Sequence, residues 1–195
     1  MVKFTAQVMA DLQRYANPRA KLSRLIKQGA LVPLRRGLYA DSFDTSPRTI
    51  AASLYGPSYI SFQYALSISG LIPERVAVVT CASFHKNKNK VYRTPLGEYR
   101  YYCVPSAIYP YGVAQATEEG AGYLIASAEK ALCDLVYRTP SISSFNAIET
   151  LLFSDWRIDE EDILGLDLGF IMQIAPLYHR KSLDTLSSWF KRRQL

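Results

Sequence analysis

The chain has 195 residues, 49% of them apolar and 21% charged, with a formal charge of +6 at neutral pH. This composition supports one or two globular domains with a sizeable core and excludes a disordered chain. No apolar run approaches the roughly 20 residues that cross a bilayer, and the start, MVKFTAQVMADLQRY, reads as mature sequence rather than a signal peptide. Three scattered cysteines, Cys81, Cys103 and Cys133, lack C-x-x-C spacing and fit reduced thiols in a cytoplasm.

Phe4 to Tyr15 reads as a first helix, with Thr5 as its N-cap and Val8, Met9 and Leu12 as its apolar stripe. Asn17 and Pro18 open a second helix, the asparagine as N-cap and the proline in the first turn, where no amide hydrogen is needed. Leu22, Leu25, Ile26 and Gly29 recur at i, i+3, i+4 and i+7 and share one face. Ser23, Arg24, Lys27 and Gln28 point away from it, and Arg19 and Lys21 flank it. Gly29 ends the helix as a left-handed residue. Leu31–Leu34 and Leu38–Ala40 predict a hairpin turning at Arg35-Arg36-Gly37. Two helices followed by a small hairpin form the local plan of a winged helix-turn-helix. In that plan the second helix enters the DNA major groove and the hairpin tip grips phosphate or the minor groove. A merely solvated amphipathic helix is the plainer reading of the same pattern. The charge distribution bears on the choice. Residues 1–40 hold eight cations against Asp11 alone, while the rest of the chain is within one negative charge of balance. Such a block is the electrostatic footprint of a polyanion site.

Helices are expected at Pro47–Tyr55, broken by Gly56-Pro57, and at Phe62–Ser69, capped by Ser61 and ended by Gly70. From Arg75 the pattern turns to strands: Val76–Thr80, Val91–Thr94, Glu98–Val104, Val113–Thr117 and Tyr123–Ile125. Tyr99, Tyr101 and Cys103 fall on one side of their strand, Arg100 and Tyr102 on the other. The loop His85–Lys90 either adds a phosphate contact or is simply mobile. Helices return with Ser127 as a cap for a helix to about Tyr137, then Phe145–Phe153 and short helical pieces to the C-terminus.

Glu129, Lys130 and Asp134 put a carboxylate in a first helical turn and an i, i+4 ion pair behind it, a structural arrangement rather than a catalytic set. His85 and His179 show no metal-ligand spacing with the cysteines, so no metal and no cofactor are expected. No phosphate-binding glycine loop, dinucleotide fingerprint or nucleophile elbow occurs. The tyrosines between Tyr99 and Tyr111 fit core or interface better than base stacking.

Three blocks stand out: Leu25-Ile26-Lys27-Gln28-Gly29 with Arg35-Arg36-Gly37-Leu38-Tyr39; Pro57-Ser58-Tyr59-Ile60-Ser61 with Ala65-Leu66 and Gly70-Leu71-Ile72-Pro73; and Ala126-Ser127-Ala128-Glu129-Lys130-Ala131-Leu132-Cys133-Asp134-Leu135. Together they resemble the AbiEi family of antitoxins and transcriptional regulators from bacterial type IV toxin–antitoxin systems. The resemblance implies an N-terminal winged helix-turn-helix that binds inverted repeats in the promoter of its own operon. It also implies a C-terminal region with antitoxin activity, and a nucleotidyltransferase-like toxin neutralised without a stable complex.

The expected fold is therefore α+β. A winged helix-turn-helix with two following helices occupies residues 1–73, and an α+β domain with a small, mostly antiparallel sheet and C-terminal helices occupies residues 74–195. The expected function is a non-enzymatic, sequence-specific repressor on double-stranded DNA, without a membrane role. Its DNA-binding residues are Arg19, Lys21, Ser23, Arg24, Lys27, Gln28, Arg35 and Arg36. A winged helix that serves only as a protein-docking module is the rival, and an enzyme in the second half ranks last.

Overall fold

A computed structural model describes residues 1–193. The backbone opens on a strand, β1 (Val2–Phe4), which three residues are too few to announce by alternation. It takes its place by pairing antiparallel with Leu38–Ala40. Helix α1 (Thr5–Asp11) is shorter than expected at both ends. Phe4 rather than Thr5 is its N-cap: the pairing of β1 holds Phe4 extended, and its amide donates to Gln7 Oε1 at 2.8 Å. Helix α2 (Pro18–Lys27) then leads to the antiparallel strands β2 (Val32–Arg35) and β3 (Leu38–Ala40), giving a three-stranded sheet in the order β1-β3-β2.

This small sheet separates two apolar clusters. Tyr39 joins the minor one, where Val8 of α1 and Leu12 just past its end meet Leu31 and the half-buried Leu22, Leu25 and Ile26 of α2. Val32, Leu34, Leu38 and Ala40 point the other way into the main core. The alternation along β3 thus fastens the two-helix unit to the rest of the molecule.

Next come α3 (Pro47–Leu54), β4 (Ser58–Ile60) and α4 (Phe62–Ile68). The strands β5 (Val79–Ser83), β6 (Lys90–Thr94), β7 (Gly97–Cys103), β8 (Val113–Glu118) and β9 (Ala121–Ala126) follow. With β4 they form a six-stranded sheet in the order β6-β7-β5-β4-β9-β8. Three of its five pairings are antiparallel, in line with the expectation of a mostly antiparallel sheet, while β5 with β7 and β4 with β9 run parallel. Strand direction depends on which distant segments meet, and local pattern does not carry it. β4, which precedes residue 73, lies inside this sheet between β5 and β9, so one core runs through the position of the expected division. The sheet also picks up β5 only at Val79 instead of Val76. Ser67 Oγ donates to the Glu74 carbonyl at 2.6 Å and accepts from the Val76 amide at 3.4 Å, holding that backbone away from the sheet.

Helix α5 (Ala128–Arg138) is capped by Ser127, whose Oγ accepts from the Lys130 amide at 3.3 Å. It is buried almost all round, from Lys130 to Val136. α6 (Phe145–Glu149) runs into a π-helical turn at Thr150–Asp155. α7 (Glu160–Leu164), α8 (Leu168–Ile174) and α9 (Lys181–Arg193) complete a helical layer. The result is a mixed α+β fold with a helical C-terminal segment. Among the described residues, no helix is long and apolar enough to cross a membrane.

Candidate nucleic-acid interface

Helix α2 owes its exact register to its two ends. Asn17 Oδ1 accepts from the Ala20 amide at 3.0 Å, and Pro18 fills the first turn. At the other end Gly29 adopts φ +71°, which lets its amide reach the Ile26 carbonyl at 3.1 Å and the Ala30 amide reach Leu25 at 2.9 Å. This paired closure is the one a left-handed C′ residue makes. Between these ends the 3.6-residue repeat divides the helix in half. Leu22, Leu25 and Ile26 lean on the minor core, Ser23, Arg24, Lys27 and Gln28 are exposed on the opposite side, and Arg19 is exposed at the flank.

The other three candidate residues divide. Lys21 turns to the flank, half-buried, with Nζ 4.9 Å from the centre of the Tyr15 ring. The Arg14 guanidinium sits 5.3 Å from the same ring. Arg14 and Tyr15 therefore belong with this surface, although periodicity did not single them out; the signal was an aromatic residue adjoining cations in the inter-helix turn. Arg35 and Arg36 part company at the hairpin. Arg35 reaches back over the end of α3 and donates to the Ser53 carbonyl at 3.3 Å, where the helix dipole favours a cation. Arg36 stays at the exposed tip beside Gly37, whose φ of +82° makes the turn and whose carbonyl accepts from the Thr5 amide at 3.0 Å.

The carboxylates near this surface are already occupied. Asp11 pairs with Lys3 at 2.6 Å and Asp41 with the amino terminus. Among the described residues, no carboxylate lies within ion-pair distance of Arg14, Arg19, Lys21, Arg24, Lys27, Arg35 or Arg36. The face therefore offers a concentration of unpaired positive charge on a rigid helix. It also carries the hydroxyl of Ser23 and the amide of Gln28, both able to hydrogen-bond a base edge or a phosphate.

A second polar cluster lies deep in the molecule. Lys130 Nζ donates to Asp134 Oδ1 at 2.7 Å and to the Tyr178 hydroxyl at 2.8 Å. The Tyr178 hydroxyl donates to Asp134 Oδ1 at 2.7 Å. Tyr59 and Ser61 donate to Asp134 Oδ2 at 2.9 and 2.6 Å. Lys130 and Asp134 are both completely buried. Burial pushes the phenols of Tyr59 and Tyr178 far up and the Lys130 ammonium down, the last against the pull of Asp134. The i, i+4 spacing had indicated this ion pair; its burial and its three hydroxyl partners come from elsewhere in the chain. Every polar group in it is partnered, as a structural clamp between α5, β4 and the Ala175–Tyr178 turn requires.

A groove of about 340 Å³ opens between α4, α5 and the π-helical turn, lined by Ile72, Val76, Val78, Leu135 and Trp156, with Arg100 and Asp155 also on its wall. On its wall Thr80 Oγ1 is taken up by the Ser61 carbonyl at 2.6 Å and the Tyr64 amide at 3.2 Å. Among the described residues, no group of three His, Cys, Asp or Glu side chains is placed to hold a metal ion. Cys81, Cys103 and Cys133 are free thiols. No protein-family model matches this sequence, and no curated protein matches it.

Proposed function

We propose that this protein is a sequence-specific repressor that binds double-stranded DNA through a winged helix-turn-helix. In this reading α1 and α2 are the helix-turn-helix, α2 is the recognition helix, and β2–β3 is a short wing on a sheet completed by β1. The observation that carries it is the outward half of α2, where Ser23, Arg24, Lys27 and Gln28 share one exposed face with Arg19 at its flank and no carboxylate partner among the described residues. Arg24 suits bidentate pairing with guanine O6 and N7, and Lys27 either a guanine or a phosphate. Arg36 at the hairpin tip suits the flanking phosphates. Arg35, already bonded to Ser53, contributes charge more than a directed contact.

The blocks quoted above support placing the chain with AbiEi-type antitoxins of type IV toxin–antitoxin operons. The repressor would then act in the cytoplasm by occupying repeats in its own promoter and blocking polymerase. Its functional partner would be a nucleotidyltransferase-like toxin opposed without a stable complex. No enzymatic activity or cofactor is part of this reading.

The direct test is a mobility shift of the full chain on the DNA upstream of its own gene, at several salt concentrations, with an unrelated duplex as competitor. A specific complex is expected for the wild type. Arg24→Ala should lower the specific-to-nonspecific ratio by about 1–3 kcal/mol, and Arg24→Ala with Arg36→Ala should abolish the specific complex. Absence of any wild-type complex refutes the proposal and leaves the protein-docking reading.

A further inference from the structure

We propose that the bound duplex continues past the hairpin onto the loop between β5 and β6 and the start of β6, where Lys86, Lys88 and Lys90 contact its phosphates. This rests on the DNA-binding reading above and adds a second contact zone to it, drawn from beyond the helices and hairpin of residues 1–40.

The chain-wide charge partition conceals this zone. Residues 84–103 hold five cations, Lys86, Lys88, Lys90, Arg93 and Arg100, against one carboxylate, Glu98. Acidic residues of the C-terminal helices cancel the excess in the overall sum but lie elsewhere along the chain. Glu98 is itself committed, to Arg93 at 3.0 Å and Arg100 at 2.7 Å. Among the described residues, Lys86, Lys88 and Lys90 have no carboxylate within ion-pair distance.

The fold sets this block beside the wing. Edge strand β6 packs against β2, the first strand of the hairpin. Arg35 bonds to Ser53 near the end of α3, and its charge reaches the phenol of Tyr101. The Tyr101 ring lies 5.3 Å from Tyr55, and Lys86 Nζ stands 5.2 Å from the centre of that same Tyr55 ring. Tyr92 of β6 closes the cluster at 6.1 Å from Tyr55.

The loop is also held in place. Asn89 Oδ1 accepts from the Cys103 amide at 3.3 Å. His85 takes a left-handed φ of +49°, packs its ring 4.0 Å from Phe84, and lies 3.4 Å from Ser106 Oγ through Nδ1. Three lysines on an anchored loop and the strand start that follows it, beside a cationic wing, match a rigid, regularly charged backbone. A duplex presents about one phosphate charge per 1.7 Å of axis. Lysines rather than arginines, and a loop rather than a helix, suit phosphate contact without base reading. The loop therefore adds affinity and length of contact but no sequence discrimination.

The experiment compares full-length wild type with Lys86→Gln/Lys88→Gln/Lys90→Gln, and with Lys88→Glu alone as a single exposed change. Binding to the upstream DNA is measured across a salt series, with nuclease protection of the same fragment. The triple variant should bind the specific and the unrelated duplex more weakly by the same factor. Its log–log salt slope should be shallower by about 0.9 per lysine lost, and protection should be shortened on one flank. Lys88→Glu should shift the slope in the same direction. An unchanged slope and footprint in both variants, with Arg24→Ala still lowering discrimination, overturns this extension and leaves the repressor reading standing. The loop would then be free for an anionic partner of another class. A wild type that binds no duplex overturns both.

Discussion

Lys130 and Asp134 lie one helical turn apart on α5, joined at 2.7 Å with neither side chain exposed to solvent. An ion pair removed from water in this way is sustained only if the remaining lone pairs and protons are also satisfied. Here Tyr59, Ser61 and Tyr178 satisfy them. Removing one partner leaves an uncompensated charge, whereas removing both leaves none. Lys130→Met should therefore cost about 3–5 kcal/mol of stability, and Lys130→Met with Asp134→Leu less than the two single changes summed. Denaturant unfolding of the wild type, the two single variants and the double variant checks this. A single variant within about 1 kcal/mol of wild type would show that the pair contributes little.

The buried acids predict alkaline unfolding. Burial raises the phenols of Tyr59, Tyr99, Tyr101 and Tyr178, and that of Tyr109 to about 12, from an ordinary 10.0. It also raises the thiols of Cys81 and Cys133 from 9.0. The folded state keeps protons that the unfolded chain releases, so these groups' contribution is full below the unfolded values and is lost as pH rises above them. Lys130 works in the opposite sense. Its ammonium is lowered from 10.5, so its burial becomes less costly as pH climbs toward that value, but it is one group against several. Stability should be flat near neutrality and fall beyond about pH 9. Each group that is ionised only in the unfolded chain steepens the fall by about 1.4 kcal/mol per pH unit. Urea unfolding at successive pH values measures it, and stability that holds or rises to about pH 11 would contradict it.

Asn17 makes no contact assigned to DNA, yet it sets where α2 begins. Asn17→Ala should cost about 1 kcal/mol through the lost cap. It should also weaken DNA binding by fraying the first turn, where Arg19 sits. Thermal unfolding and the mobility shift, run on the same preparation, separate the two effects. Unaltered binding at reduced stability would mean that Arg19 is not used.

Gly112 lies at φ +61° where β8 begins, over the middle of the buried clamp. A Cβ there would stand 2.9 Å from Lys130 Cβ and 2.9 Å from Phe170 Cζ. Gly112→Ala combines that clash with a left-handed backbone and should destabilise by about 1–3 kcal/mol. A neutral result in thermal unfolding would show that α5 and α8 can move apart at this point.

Much of the N-terminal surface was legible along the chain. The caps at Asn17 and Gly29, the apolar repeat of Leu22, Leu25 and Ile26, and the turn at Arg36-Gly37 act over a few residues, and local rules suffice for them. The fates of Lys21 and Arg35 were not legible. Each depends on a neighbour from another element, Tyr15 for one and the Ser53 carbonyl for the other. Strand β1 was silent for the same reason, since three residues mean nothing until β3 pairs with them.

The amino-acid order by itself determined that α2 has one cationic and one apolar side, that the hairpin follows it, and that Lys130 and Asp134 meet across a turn. Backbone geometry repeats every 3.6 residues in a helix and every two in a strand, so these relations need nothing distant. Only the tertiary structure decided that the Lys130–Asp134 pair is sealed from water by residues 44 to 75 positions away. It alone made the six-stranded sheet mixed in direction and set the lysine loop against the wing. Burial, strand direction and the joining of two charge blocks depend on which remote segments pack together, and packing sums over the whole chain.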